Sequence, residues 1–272
     1  MHLSNFQKVN QFMTAFGQAT YNIPKLELFN DDKLVNLRLS LIKEEFNEIK
    51  EAINNNDFVE FIDGIADLLV VTYGTGLAFG CNVDETISDI LSNKYDLEQK
   101  DKNNYDMVLE VMNYEKNLIC TIPQPKLIKG CTKLIDQLIE DINNEIELLY
   151  QSINKIKLIK YIPIPNYIII KRYFNNIIGN IVIKTYKLGI TYGIDVNKAF
   201  DIVHNSNMSK LCISEDEAKQ TVEWYLKNES RYPTPSYKQA VDEKYWIVYE
   251  QSTGKVLKSI NYTPADLKNL AE

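Results

Sequence analysis

The segment TYGTGLAFGCNVDETISDILSNK, starting at Thr72, resembles TYKLGITYGIDVNKAFDIVHNSN, starting at Thr185. Thr72, Tyr73, Gly76, Gly80 and Val83 recur at one constant offset as Thr185, Tyr186, Gly189, Gly193 and Val196. Upstream, LIKEEFNEI from Leu41 resembles LIEDINNEI from Leu138, with a longer insertion before the next helix. A chain that carries one unit twice is constrained to build two similar bundles. Such pairs are the expected product of duplicating and fusing a domain that once paired with itself. A length of 272 residues accommodates two domain-sized units.

The unit is helical. Between Asn30 and Asn56, Leu34, Leu37, Leu41, Phe46, Ile49 and Ile53 recur at close to 3.6 residues, and Asp31 or Asp32 can cap the start. The cluster Asn54, Asn55, Asn56 breaks this helix, Asp57 can cap the next, and Phe58 to Phe79 is again helical until Gly80. So short a turn predicts antiparallel helices. Shorter helices are expected over Ser4 to Phe16 and Val83 to Lys94, with the polar stretch LEQKDKNNYD as a surface connection. A second set of helices begins near Lys126. After it, Ser214 with Glu217 forms a capping-box-like helix start, and YWIVYEQSTGKVLKSI alternates around STG as a β-hairpin. The expected architecture is all-α, a duplicated and pseudo-dimeric helical bundle with a small C-terminal helix plus β-hairpin. Its boundaries are read as 1–115, 125–212 and 213–272.

Charge and cysteine usage narrow the partners. Thirty Lys plus Arg against 37 Asp plus Glu leave a net charge of -7, which argues against duplex nucleic acid or an anionic membrane surface. It does not exclude phosphate ligands, since a metal ion can mediate between carboxylates and a polyphosphate. Cys81, Cys120, Cys131 and Cys212 form no CxxC pair and read as reduced thiols. Two histidines, His2 and His204, exclude a multi-histidine zinc site. The start, MHLSNFQKVNQF, has no apolar run. The stretch around Tyr161 to Ile170 is interrupted by Pro163 and Pro165 and is shorter than the roughly 20 residues of a membrane span. The expectation is a soluble, cytoplasmic chain.

Acidic residues concentrate on the first helical hairpin. Glu44, Glu45, Glu48 and Glu51 precede the turn, while Glu60, Asp63 and Asp67 follow it. Residues three or four apart share a helix face, so Glu45 pairs with Glu48 and Glu60 with Asp63. With the turn centred near Asn54 and Asn55, Glu48 and Glu60 each stand six residues, about 9 Å, from it, and Glu45 and Asp63 stand one turn higher. Four carboxylates facing one another would repel and raise one another's pKa values. A divalent cation relieves that repulsion, and ligation by oxygen alone suits Mg²⁺ or Mn²⁺.

The pattern EExxE (Glu44, Glu45, Glu48) followed by ExxD (Glu60, Asp63) resembles the signature of the all-α nucleoside triphosphate pyrophosphohydrolases, the superfamily of MazG and the phosphoribosyl-ATP pyrophosphohydrolases. IKEEFNEIKEAI and FIDGIADLLVVTYGTGLAFG are similar to the MazG-like, HisE-like members, as are HNSNMSK at His204 to Lys210 and GKVLKSINYTPADL at Gly254 to Leu267. Some relatives place their aspartate directly before the LLxxV run, which nominates Asp67 in place of Asp63. The height argument favours Glu60 with Asp63 and leaves Asp67 to hold a second ion or to order the ligands.

The resemblance implies a MazG-like bundle and Mg²⁺-dependent hydrolysis of a nucleoside triphosphate to a monophosphate and pyrophosphate, by water attack at the α-phosphorus. Glu45, Glu48, Glu60 and Asp63 would be the metal ligands, and Glu44 would orient or deprotonate the water. In the second unit Asp63 corresponds to Asn176, Asp67 to Asn180 and Glu45 to Ile142, so that unit has lost its metal site. The SNMSK motif occurs only in the second unit, which nominates Asn207, Lys210 and His204 for the substrate. Tyr73 could line a base pocket. The hairpin could cover the site or form a homo-oligomer contact. The alternatives are phosphoribosyl-ATP cleavage or a helical nucleotide-binding scaffold without turnover.

Overall fold

A computed structural model describes residues 3–95, 102–114, 132–159 and 166–271. Helices dominate: α1 Asn5–Ala15, α2 Leu26–Phe29, α3 Asp32–Asn55, α4 Phe58–Phe79, α5 Val83–Tyr95, α6 Asn104–Tyr114 and α7 Thr132–Leu158. Then come α8 Asn166–Ile170, a π-helical turn Lys171–Asn175, α9 Asn176–Thr191, α10 Val196–Met208, α11 Glu215–Asn228 and α12 Lys268–Ala271. The strands β1 Pro235–Gln239, β2 Trp246–Glu250 and β3 Val256–Leu257 lie between α11 and α12. The chain divides into two compact units. One holds residues 1–7, 20–200 and 267–272, the other residues 8–19 and 201–266. Residues 8–19, which hold most of α1, fall in the second unit, while α2 to α9 share the first, in which α4 and α9 pack directly on each other.

The helix ends follow local chemistry. The Asp31 carboxylate accepts from the N–H groups of Lys33 and Leu34 to start α3, and Asp57 accepts from Glu60 N–H to start α4. Asn56 closes α3 in the left-handed region (φ 57°), and Gly80 closes α4 there (φ 77°). A side chain at Gly80 would also meet the backbone of Ile23 at 2.3 Å. The buried stripe of α3 is Val35, Leu39, Ile42, Phe46, Ile49 and Ala52, whereas Leu37 is 52% exposed. Of the apolar positions expected to line this face, Phe46 and Ile49 are buried, Leu34, Leu41 and Ile53 are half-buried and Leu37 is exposed, because Val35, Arg38, Leu39 and Ile42 take the buried positions of the first turns. Each fully buried Ile or Phe contributes roughly 1.5–3 kcal/mol.

Helix α4 is long and apolar enough to cross a membrane, but 78% of that span is buried inside the protein. It is the core helix of the first unit, a longer apolar run than the one read at Tyr161 to Ile170, most of which lies outside the described residues. Tyr73 of α4 and Tyr186 of α9, which align in the two similar sequence segments, meet hydroxyl to hydroxyl at 3.2 Å. Asn104 donates to Tyr73 Oη (2.9 Å) and Asp84 Oδ1 (2.7 Å), and Asn5 donates to Tyr186 Oη (2.9 Å). Burial raises Asp84, against hydrogen bonds from Ser4 and Asn104 that lower it. Asn104 opens α6, so the polar stretch expected as a surface connection turns helical at its end and buries one of its residues. The start expected near Lys126, together with Cys120 and Cys131, lies outside the described residues. Cys81 and Cys212 are free, buried thiols.

In the other unit, Ser214 caps α11 by accepting from Glu217 N–H (3.1 Å). The hairpin around STG forms with Val248 opposite Leu257 and Tyr249 opposite Val256. Its first strand also pairs on the other side with β1, Tyr237 opposite Val248, so the expected hairpin is a three-stranded antiparallel sheet. Pro235 and Lys238 weaken the strand signal of β1, and pairing with β2 overrides it.

Candidate active site

The register of α3 against α4 is set by Gly64. A Cβ there would lie 2.9 Å from Ile49 Cγ1 and 3.4 Å from Ile49 N, so the helices approach most closely where Gly64 faces Ile49. Counting outward from that contact, Glu45 is level with Leu68, next to Asp67, and Glu48 is level with Ile65, between Asp63 and Asp67. Glu60 is level with Ile53, on the first turn of α4, and exposed. The sequence reading centred the turn on Asn54 and Asn55, but α3 continues to Asn55 and the reversal is made by Asn56 and Asp57. Glu48 is thereby level with Ile65 in place of Glu60, five residues further along α4, about 7.5 Å on the axis. The count sets Glu45 and Glu48 against the Asp63–Asp67 stretch, so Asp63 stays among the charges acting on Glu45 as expected, while Glu60 is not one of them.

The electrostatics follow the same register. Glu45 is pushed up to about 8 from its ordinary 4.5, first by burial, then by the charges of Asp67, Glu48, Glu44 and Asp63. Asp67 is the strongest of these charges, and Glu60 is not among them. Glu44 and Glu48 are exposed, while Glu45, Asp63 and Asp67 are half-buried. The donor set is all oxygen, the kind that suits a hard divalent cation. Among the described residues no three Asp, Glu, His or Cys side chains converge closely enough, as they stand, to hold a metal ion.

Arg38 was not singled out in the sequence. It is 7% exposed on α3 and shares the face of Glu45, seven residues and about 10 Å earlier. Burial lowers its pKa. An arginine inside the stripe of Val35, Leu39 and Ile42 was the available signal.

Tyr73 is fully buried, with its hydroxyl engaged by Tyr186 and Asn104. This corrects its nomination as a base contact: the ring belongs to the core. His204 is 9% exposed, and its pKa is lowered by burial and then by Lys8, against Asp201, which raises it. In SNMSK the serines have structural work. Ser206 bonds Tyr262 Oη (3.4 Å), Ser209 accepts from Thr263 N–H (3.0 Å), and Lys210 C=O accepts from Ser259 N–H (3.2 Å). The motif therefore anchors the Ser259–Thr263 segment of GKVLKSINYTPADL, the other C-terminal motif. Lys210 Nζ donates to Asn207 Oδ1 (2.6 Å), which pairs the two nominated polar side chains with each other.

Residues 9–93, from α1 to α5, match the model of the phosphoribosyl-ATP pyrophosphohydrolase family. The whole chain is similar to the uncharacterized protein L479 of Acanthamoeba polyphaga mimivirus, 30% identical over 99% of this chain and 96% of the relative. No solved structure matches it significantly. The matched region contains the entire acidic hairpin, and the protein belongs to the MazG/HisE-like all-α superfamily of pyrophosphohydrolases, hydrolases that act on acid anhydrides.

Proposed function

We propose that the protein is a divalent-metal-dependent nucleotide pyrophosphohydrolase that converts a nucleoside triphosphate to a monophosphate and pyrophosphate at the α3–α4 hairpin. One observation carries this reading: inside the family-matched region Glu44, Glu45, Glu48, Asp63 and Asp67 gather on one helical hairpin, where burial and then the other four charges push Glu45 up to about 8, a concentration of negative charge that a cation would relieve. Enzymes of the superfamily are generally dependent on a divalent metal. Glu45, Glu48, Asp63 and Asp67 fit Mg²⁺ or Mn²⁺ by donor type, and when bound the ion would neutralise the phosphates and acidify a water. Glu44, beside them on α3, accepts the proton of the attacking water. The water oxygen bonds to the α-phosphorus, the α–β bridging P–O bond breaks, and its electron pair leaves with pyrophosphate. Arg38 supplies a fixed positive charge on the same face of α3.

The pseudo-dimeric duplication is part of this reading. Equivalent tyrosines meet at 3.2 Å, and equivalent glycines make the same close approach, Gly76 to Val83 Cγ2 (2.3 Å) and Gly189 to Val196 Cγ2 (2.4 Å) from the position of a Cβ. The family match favours a second reading, phosphoribosyl-ATP as the substrate. Pyrophosphate release with Mg²⁺ across deoxynucleoside and ribonucleoside triphosphates and phosphoribosyl-ATP, for wild type and Glu48→Ala, separates the readings. Turnover that Glu48→Ala abolishes supports the hydrolase and ranks the substrates. Absence of turnover on every substrate supports the scaffold.

A further inference from the structure

Where the α3–α4 hairpin gathers carboxylates, the packed pair α7 and α9 holds a cation of its own. In LIEDINNEI, which resembles LIKEEFNEI, Glu145 aligns with Glu48. At the offset of the other two similar segments, Asn180 aligns with Asp67 and Lys184 with Val71. Glu145 is 7% exposed, and its Oε1 accepts from Lys184 Nζ (2.8 Å) and Asn180 Nδ2 (3.2 Å). Lys184 Nζ also donates to the Asp141 carbonyl (3.3 Å). A carboxylate this buried requires a partner, and removing one leaves an uncompensated charge inside the protein.

The ammonium is held by oxygens. Lys184 Nζ bridges a side-chain oxygen of Glu145 and the main-chain oxygen of Asp141, one turn apart on α7, while Asn180 brings an amide from α9 to the same carboxylate. Carboxylate, main-chain carbonyl and amide oxygens are the groups that hold hard divalent cations. Here a compact charge on a flexible stem, tied to α9, takes that place. The amide of Asn180, where the first hairpin has Asp67, leaves one negative charge for one ammonium to balance.

We propose that Lys184 stands in for a divalent ion, so that the α7–α9 pair carries its counter-cation within the chain and takes up no metal. The comparison rests on the metal-binding reading of the α3–α4 hairpin, and the experiment separates the two. Mn²⁺ bound to the full chain is counted from the loss of the free-ion electron paramagnetic resonance signal. The proteins are wild type, Glu145→Gln, Asn180→Asp, Asn180→Asp with Lys184→Val, and that double variant with Glu145→Gln, each checked for an unchanged helical spectrum. The double variant is expected to bind one Mn²⁺ more than wild type. Asn180→Asp alone, which keeps the ammonium, and the triple variant, which lacks the carboxylate, should gain none, and Glu145→Gln should match wild type. No gain in the double variant, a gain in Asn180→Asp alone, a gain that survives Glu145→Gln, or wild-type binding that Glu145→Gln removes would each overturn the proposal. The gain is read as a difference, so a wild type that binds no Mn²⁺ rejects the α3–α4 reading without masking it. Thermal melts in EDTA give a second measurement. Lys184→Met should lower the melting temperature by at least about 5 °C, as expected for breaking a buried pair, and adding Glu145→Gln should recover most of the loss. An unchanged melting temperature in Lys184→Met would overturn its role as the counter-cation.

Discussion

Glu45 combines half-burial with four like charges, and its titration is the clearest property of a single residue here. Its carboxyl, normally near 4.5, holds its proton to about 8 in the folded chain. The folded state therefore binds that proton more tightly than the unfolded chain. The stability this contributes is present below about pH 4.5 and is lost as pH rises through 8. Thermal melts in EDTA should show wild type losing stability from pH 5 to 8, and Glu45→Gln should flatten that loss. Equal slopes for the two proteins would contradict the burial and charge assigned to Glu45. A cation that binds there must displace the proton, so Mg²⁺ titrations at pH 7 in buffers of different ionisation enthalpy should report close to one proton released per ion.

At the scale of elements, the pairing of α3 with α4 rests on one small residue. Gly64→Ala would place a methyl 2.9 Å from Ile49 Cγ1, which forces Ile49 to move or the helices to part. A loss of about 1–3 kcal/mol by chemical denaturation is expected, with weaker Mg²⁺ binding because the facing carboxylates separate. A neutral substitution would show that the register is held elsewhere. The same hairpin shows what was legible in the sequence. Caps and stops, Asp31, Asp57 and Gly80, are local chemistry and gave α4 to the residue. The facing partners were misjudged because Asn55 stays helical and Asn56 turns left-handed, a choice between neighbouring asparagines that composition does not decide. The strand β1 was missed because its pairing with β2 is a tertiary contact, and the start of α6 was missed because Asn104 looks like a surface residue and is buried by its bonds to Tyr73 and Asp84.

At the scale of the whole molecule, the proposed duplication sets two differently balanced carboxylate arrangements side by side for comparison. In the first copy carboxylates crowd together on α3 and α4, and in the second Lys184 and Asn180 satisfy the one carboxylate that corresponds to Glu48. The acidic half of that contrast was legible, since Asn176, Asn180 and Ile142 stand where Asp63, Asp67 and Glu45 stand in the first copy. The internal cation was not, because Lys184 replaces a valine, Val71, that carries no chemistry in the first copy. In the proposed hydrolytic centre Asp67, one turn beyond Asp63, takes part and Glu60 does not. Pyrophosphate release at saturating Mg²⁺, measured side by side for wild type, Asp67→Asn and Glu60→Gln on the best substrate, tests it most directly. A loss of at least about 100-fold is expected for Asp67→Asn, in the range of removing one strong electrostatic contributor, and near-normal turnover for Glu60→Gln. Full activity in Asp67→Asn, or its loss in Glu60→Gln, would contradict it.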